Sequence, residues 1–161
     1  MIRICFVCLG NICRSPTAEG VMRHLVKQAG LESQFELDSA GTGGYHVGEP
    51  PDQRARAAGK RRGVVISGSA RQVSAKDFEH FDYLLAMDPQ NLRDLQRIAP
   101  HEAHAQLRQL RAFDPASEAE APVPDPYYGG QEGFDEVFDI CEAACNGLLR
   151  ELRASGKLRA G

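Results

Sequence analysis

Cys8-Leu9-Gly10-Asn11-Ile12-Cys13-Arg14-Ser15-Pro16 brings a thiol and a guanidinium into one short loop, between the apolar run Ile2 to Val7 and a helical pattern. A thiol free in water titrates near pH ~8.5, but loop amides, a helix N-terminus and an arginine all favour an anion, so Cys8 is expected to be a thiolate at neutral pH. Nucleophile and anion site then coincide, as attack on a phosphate ester requires. The amides of residues 9–14 would converge on three phosphoryl oxygens, as in other anion-binding nests. Arg14 adds a planar fork that binds two oxygens at once, which lysine cannot do. Gly10 and Asn11 are residue types that tolerate the positive φ a loop this tight needs. Ser15 has two competing uses, as the N-cap of the following helix or as a hydroxyl donor to the Cys8 sulfur, and cannot fully serve both.

Other uses of these residues are weaker. A lone cysteine is most often a small buried hydrophobe. Cys8 and Cys13 are separated by four residues with no adjacent histidine or second cysteine pair, which matches no usual zinc spacing, so no metal is expected. His24, His46, His80, His101 and His104 show neither metal spacing nor a Cys-His dyad and read as ordinary surface or core residues.

A phosphate ester also needs an acid that protonates the leaving oxygen and then takes a proton from the attacking water, on a segment that can cover the loop. Asp125 meets this, since Pro122, Pro124, Pro126, Gly129 and Gly130 make its surroundings a structured loop. Tyr127 and Tyr128 follow it and can wall an aromatic slot, together with Leu9, Ile12 and Tyr45 from the turn-rich segment 41–46. Asp114-Pro115 offers the same dipeptide without the tyrosines and is the competitor.

The elements that must position these groups are legible in outline. Ile2, Ile4, Cys5, Phe6 and Val7 read as a strand buried on both faces of a parallel sheet. Ser15 as N-cap, Pro16 at the first helical position and apolar residues from Ala18 to Ala29 predict a helix that Gly30 stops. Further strands are expected near Phe35-Ser39, Val64-Ser67, Tyr83-Ala86 and Gln109-Arg111, alternating with helices near 52–62, 75–79, 89–98 and 132–154. Asp88 before Pro89 reads as an N-cap ahead of a second catalytic acid. The fold class is therefore α/β: a single-domain open parallel sheet over residues 1–161, helices on both faces, and the phosphate-binding loop after the first strand.

Composition bounds the rest. The chain of 161 residues with 42% hydrophobic content can bury one core and shows no internal repeat. Residues 115–124 read as an exposed loop, and a frayed, disordered tail is expected over 155–161. A net charge of -3 mildly opposes an anionic substrate at long range, so the loop must act locally. Lys60-Arg61-Arg62 is too short a basic run to imply nucleic acid. No signal-peptide or membrane-spanning pattern is present, which points to the cytoplasm and to no membrane insertion. The five cysteines do not form a disulfide framework; Cys5, Cys141 and Cys145 read as core. Cys13 shares the loop with Cys8 and could trap a sulfenic acid there as a reversible disulfide.

These motifs resemble the low-molecular-weight protein tyrosine phosphatases. The likeness runs from Val7 to Glu19 and continues through Asp38-Ser39-Ala40-Gly41-Thr42, Ala70-Arg71-Gln72, Phe81-Asp82-Tyr83, Met87-Asp88, Asn91-Leu92-Arg93-Asp94-Leu95 and Asp125-Pro126-Tyr127-Tyr128-Gly129. It implies Cys8 as nucleophile, Arg14 as phosphate ligand, Ser15 as the group assisting the thiolate, Asp125 as general acid, and supports Cys13 in redox protection. No cofactor is implied, because Arg14 and the amides would do what a metal otherwise does. Tyrosine-phosphorylated proteins are the implied substrates, with an autophosphorylating bacterial tyrosine kinase as a candidate. Arsenate reduction on the same scaffold needs later cysteines that the chain lacks between Cys13 and Cys141. Protein arginine phosphatases tend to carry threonine where Ile12 stands, and isoleucine suits a flat ring better. A non-catalytic phosphotyrosine-binding module should lack Cys8 or the acid. One departure stands out: the family often has a histidine at the position of Gly68, bonded to the loop asparagine, so Asn11 is expected to bond a water, Ser69 or a backbone group, or to leave the loop less rigid, and a Gly68→His change not to reduce turnover.

Overall fold

The computed structural model describes residues 1–118 and 120–159. Its strands are β1 (Ile2–Cys8), β2 (Phe35–Gly41), β3 (Tyr83–Ala86) and β4 (Gln106–Gln109), all parallel in the order β2-β1-β3-β4. Between and after them run α1 (Arg14–Gln28), α2 (Gln53–Arg61), α3 (Ala75–His80), α4 (Pro89–Ile98) and α5 (Gln131–Ala154). The chain leaves β1 for β2 on one side and later returns to β3 on the other. The carboxyl end of β1 is thus the switch point where open α/β sheets bind ligands, and Cys8 is its last residue.

Strand alternation splits the core in two. Ile4, Phe6, Tyr83 and Leu85 face a cluster with Met22 of α1 and Phe138, Cys141 and Leu148 of α5. Cys5, Val7, Leu84 and Ala86 face the other, with Phe78 of α3 and Leu95 of α4. Each such fully buried large side chain contributes about 1.5–3 kcal/mol relative to exposure. Both faces of β1 are dry, which fixes its register against β2 from Ile2–Phe35 to Cys8–Gly41.

Three expectations need correction. Val64-Ser67 is not a strand: Val64 and Ile66 are buried on either side of exposed Val65, but Ile66 wedges between α1 and α2 rather than pairing with the sheet. A Cβ on Gly20 or on Gly59 would lie 2.6 Å from Ile66. The last strand is Gln106–Gln109, and Leu110–Phe113 is a 3-10 turn. Its polar sequence hides an edge strand, which hydrogen bonds from Ala105 N to Phe78 O and Gln106 N to Asp82 O guide into place. Finally, α1 begins at Arg14 with Cys13 at the N-cap, not with Ser15.

Where fraying is expected from Ser155, the described residues are tied down: Lys157 Nζ donates to Tyr83 Oη at 2.8 Å, and Gln34 exchanges bonds with the backbone of Arg159 at 2.8 and 3.1 Å. Ala160 and Gly161 of that tail, and Ala119 of the expected exposed loop, lie outside the described residues. Among the described residues no helix is long and apolar enough to cross a membrane.

α5 packs on the 3-10 turn through Gly147, where a Cβ would sit 1.9 Å from Phe113 O. Gly147→Ala should therefore cost about 2 kcal/mol by overpacking and lower the melting temperature by several degrees, while ligand-site chemistry persists; thermal melts monitored by circular dichroism check this.

Candidate active site

The loop after β1 turns at Asn11, whose backbone is left-handed (φ 58°), a conformation that asparagine tolerates better than most residues. This turn brings Asn11 N to 3.3 Å from Cys8 Sγ. Ser15 Oγ lies 3.0 Å from the same sulfur and accepts from Asn11 Nδ2 at 2.8 Å. The two uses open to Ser15 are thereby decided locally: its hydroxyl is committed to Cys8 and Asn11, so it does not cap α1.

Arg14 is 4% exposed, yet charged. Burial works against its charge, but Cys8 and hydrogen-bonded Asp88 offset that and keep it protonated. Its NH1 donates to Asp88 Oδ2 at 2.6 Å and to Val123 O at 3.1 Å, and NH2 lies 3.8 Å from Asp125 Oδ2. Asp88 does cap α4, accepting from Asn91 N at 2.7 Å with its other oxygen. The same carboxylate therefore starts a helix and aims the guanidinium.

Cys8, Leu9, Gly10, Ile12, Cys13 and Arg14 line a cavity of about 400 Å³. Tyr45, His46, Asp125, Tyr127 and Tyr128 line the same cavity. All the proposed wall residues, and the proposed acid, are thus gathered around the sulfur, while Asn11 and Ser15 stand behind the loop. Asp125 is half exposed and accepts from Tyr127 N at 3.1 Å, which fixes its turn. Its rival Asp114 accepts from Ala116 N and is not part of this cavity. Tyr127 and Tyr128 meet edge to face at 5.0 Å.

Burial, followed by the nearby Asp52 and Cys8, pushes the Cys13 thiol up to about 12. Cys13 is therefore a neutral thiol at neutral pH and a poor competitor for nucleophilic attack. Cys5 and Cys145 are likewise raised, first of all by burial.

Asn11 is not left short by glycine at 68. Its Nδ2 also donates to Ser39 Oγ at 3.0 Å, and its Oδ1 accepts from Arg71 N at 3.0 Å. A side chain at residue 68 would meet open space, but the backbone there is left-handed (φ 110°), which a histidine would have to adopt under strain.

Four contributors escape the sequence reading. His46 is a wall residue rather than an ordinary surface histidine; its Nδ1 pairs with Glu49 at 2.7 Å. Its place next to Tyr45 was the only available hint. Asp88 aims Arg14, as above. Asp52 and Arg54 join the Cys8 loop to the segment that carries Asp125. Asp52 N donates to Ile12 O at 2.7 Å, and Arg54 bonds Asp52 at 3.0 Å while reaching Tyr127 O at 3.0 Å and Gly129 O at 2.9 Å. The Arg54 guanidinium lies 4.4 Å from the Phe134 ring centroid, which holds it over α5.

The family described as low molecular weight phosphotyrosine protein phosphatase matches residues 3–158. A low molecular weight protein-tyrosine-phosphatase of Streptomyces coelicolor is 48% identical over 160 residues, covering 98% of both chains. A protein tyrosine phosphatase of Entamoeba histolytica, solved with Hepes in its active site, superposes with a TM-score of 0.92 at 42% identity, covering 98% of this chain and 100% of that one. A Drosophila arginine phosphatase superposes with a TM-score of 0.89 at 31% identity over 94% of this chain and 98% of its own.

Hydrogen bonds from the Arg54 side chain hold the Asp52 carboxyl below its ordinary range. A depressed folded-state value stabilises above the unfolded value of about 3.9, and that contribution is lost as pH falls through the folded value. Asp52→Asn should therefore melt lower at neutral pH and lose less further stability between about pH 4 and pH 2; melting curves of both proteins across that range provide the check.

Proposed function

Since the chain belongs to the low molecular weight phosphotyrosine protein phosphatase family, a family of hydrolases, we propose that it hydrolyses phosphotyrosine in proteins through a phosphocysteine intermediate. The observation that carries this reading is the placement of Cys8 Sγ within 3.0 Å of Ser15 Oγ and 3.3 Å of Asn11 N, in a cavity that Asp125 and the tyrosines also line. The match over residues 3–158 supports taking the chain as one catalytic domain.

The steps follow from the groups available. The Cys8 thiolate attacks phosphorus in line with the phenolic oxygen, forming the S–P bond as the P–O bond breaks. Arg14 and the loop amides take up the charge that spreads over the equatorial oxygens. The protonated Asp125 gives its proton to the departing oxygen. As carboxylate it then removes a proton from the water that attacks phosphocysteine, which releases phosphate and returns the thiolate. Ser15 donates to sulfur in both steps, easing its departure as a leaving group. Leu9, Gly10, Asn11, Ile12 and Cys13 complete the cradle, and Tyr45, Tyr127 and Tyr128 flank the ring.

Cys13 has a separate role in this scheme. When peroxide oxidises Cys8 to a sulfenic acid, Cys13 gives up its proton as its sulfur attacks that of Cys8, a disulfide forms and the hydroxyl leaves with that proton as water, so overoxidation is avoided. The spacing of the five cysteines gives no disulfide framework, and we assign the protein to the cytoplasm. An autophosphorylating tyrosine kinase is the proposed protein partner.

The arginine-phosphatase likeness raises a second substrate, and Ile12 discriminates between the two. The residue is 8% exposed and lines the cavity, where an aliphatic surface suits an aromatic ring and offers nothing to a guanidinium. Ile12→Thr should raise hydrolysis of phosphoarginine and lower that of phosphotyrosine, read as the ratio of the two kcat/KM values.

Reduced, metal-free protein should turn over free phosphotyrosine in a phosphate-release assay. Cys8→Ser should abolish it, and Asp125→Asn should slow it by about 10²–10⁴-fold, the range typical of general acid–base contributions. Turnover that survives Cys8→Ser would overturn the mechanism.

A further inference from the structure

Asn11 sits between donors and acceptors in a way that gives its amide only one workable orientation. The Arg71 backbone N–H can only donate, and it lies 3.0 Å from one end of that amide. The oxygen must face Arg71, so the NH₂ must face Ser15 and Ser39, at 2.8 and 3.0 Å. Ser15 Oγ then spends a lone pair on Asn11 and keeps its own proton to give. Two acceptors compete for it: Cys8 Sγ at 3.0 Å and Ala40 O at a long 3.4 Å. A donor on the far side of Asn11 therefore leaves the Ser15 proton free for sulfur, the nearer of the two acceptors.

That donor is unusually well held. The Arg71 guanidinium makes a bidentate pair with Asp77, both contacts at 3.0 Å, and reaches Asp38 of β2 at 3.0 Å. Asp77 is itself buried and closes the capping box that starts α3. Arg71 O accepts from Gly41 N at 2.8 Å, so the residue is fixed on both sides of its backbone. The remaining neighbour is Cys5 of β1, whose Sγ lies 3.7 Å from the guanidinium. A surface arginine would not need three elements to hold it.

We propose that Arg71 is a positioning residue for catalysis: clamped by Asp77 and Asp38, it presents the backbone N–H that orients Asn11 and so directs the Ser15 hydroxyl onto Cys8. Arg71 touches neither substrate nor sulfur, and acts through two intervening side chains. The inference rests on the proposed role of Cys8 as nucleophile.

The test follows Cys8 directly, by the pH dependence of its alkylation with iodoacetamide, alongside kcat and KM for phosphotyrosine. Arg71→Lys keeps the charge and the backbone N–H but cannot make the bidentate pair. Its alkylation profile should move to higher pH, with kcat lowered about tenfold and KM changed much less. In a Ser15→Ala background the same substitution should have no further effect on either quantity, because the hydroxyl it directs is gone. Asp38→Asn removes one arm of the clamp at a half-exposed residue and should act in the same direction, more weakly, so a poorly folding Arg71→Lys does not end the test.

A folded Arg71→Lys or Asp38→Asn with the parent alkylation profile and kcat would overturn the proposal. So would an Arg71→Lys effect of full size in the Ser15→Ala background, which would mean a merely structural role. Failure of the underlying reading looks different: the unmodified protein would leave phosphotyrosine intact, or Cys8→Ser would retain turnover.

Discussion

The left-handed backbone at Asn11 is the constraint on which the site depends. Such a conformation costs an L-residue about 1–2 kcal/mol, so it persists only when the surroundings over-determine it. Here the side chain of the same residue supplies the compensation, with bonds to Ser15, Ser39 and the Arg71 backbone. The loop is thus tied at its tightest point to α1, β2 and the segment beyond α2. Its own amide then falls on the Cys8 sulfur. Without that turn, thiol, hydroxyl and guanidinium would belong to one sequence motif but not to one place.

The parallel sheet provides the frame for this turn. β1 is buried on both faces, so the position of Cys8 at its end has little freedom, and β2 and β3 on either side deliver Ser39 and Asp88 to the same end. Asp88 fixes Arg14 from the β3 side, while the Asp52–Arg54 pair ties the cradle to the loop that carries Asp125. Cradle and acid loop come from distant parts of the chain, yet one short helix start, at Asp52, bonds to both. Preorganisation of this kind is what lets fixed dipoles stabilise charge without reorganising during the reaction.

Much of this was legible in the sequence because the chemistry is local. Cys8, Arg14 and Ser15 lie within one strand–loop–helix unit, and the proline- and tyrosine-rich context marks Asp125. The helices were placed to within a residue or two, since their caps and periodicity are short-range signals. What escaped depends on tertiary contact. Arg54 looks like an ordinary surface arginine, and Arg71, though it falls in a segment that resembles the family, shows no role until Tyr127 O, Asp38 and Asp77 are brought to them. His46 carries no spacing signal at all. Val64-Ser67 has the alternation of a strand, but two glycines on separate helices make a slot for Ile66 that no local pattern reveals. β4 failed for the opposite reason: a polar edge strand is defined by its neighbour β3 rather than by its own residues.

The central claim is that Cys8 carries the phosphoryl group between two half-reactions. The most direct measurement is acid quenching of the protein during turnover of phosphotyrosine, followed by mass spectrometry of its peptides. The account predicts a phosphoryl adduct on the peptide containing Cys8, on that cysteine and not on Cys13, appearing before free phosphate accumulates. Phosphate release with no adduct at any time resolved, or an adduct on another residue, would contradict it.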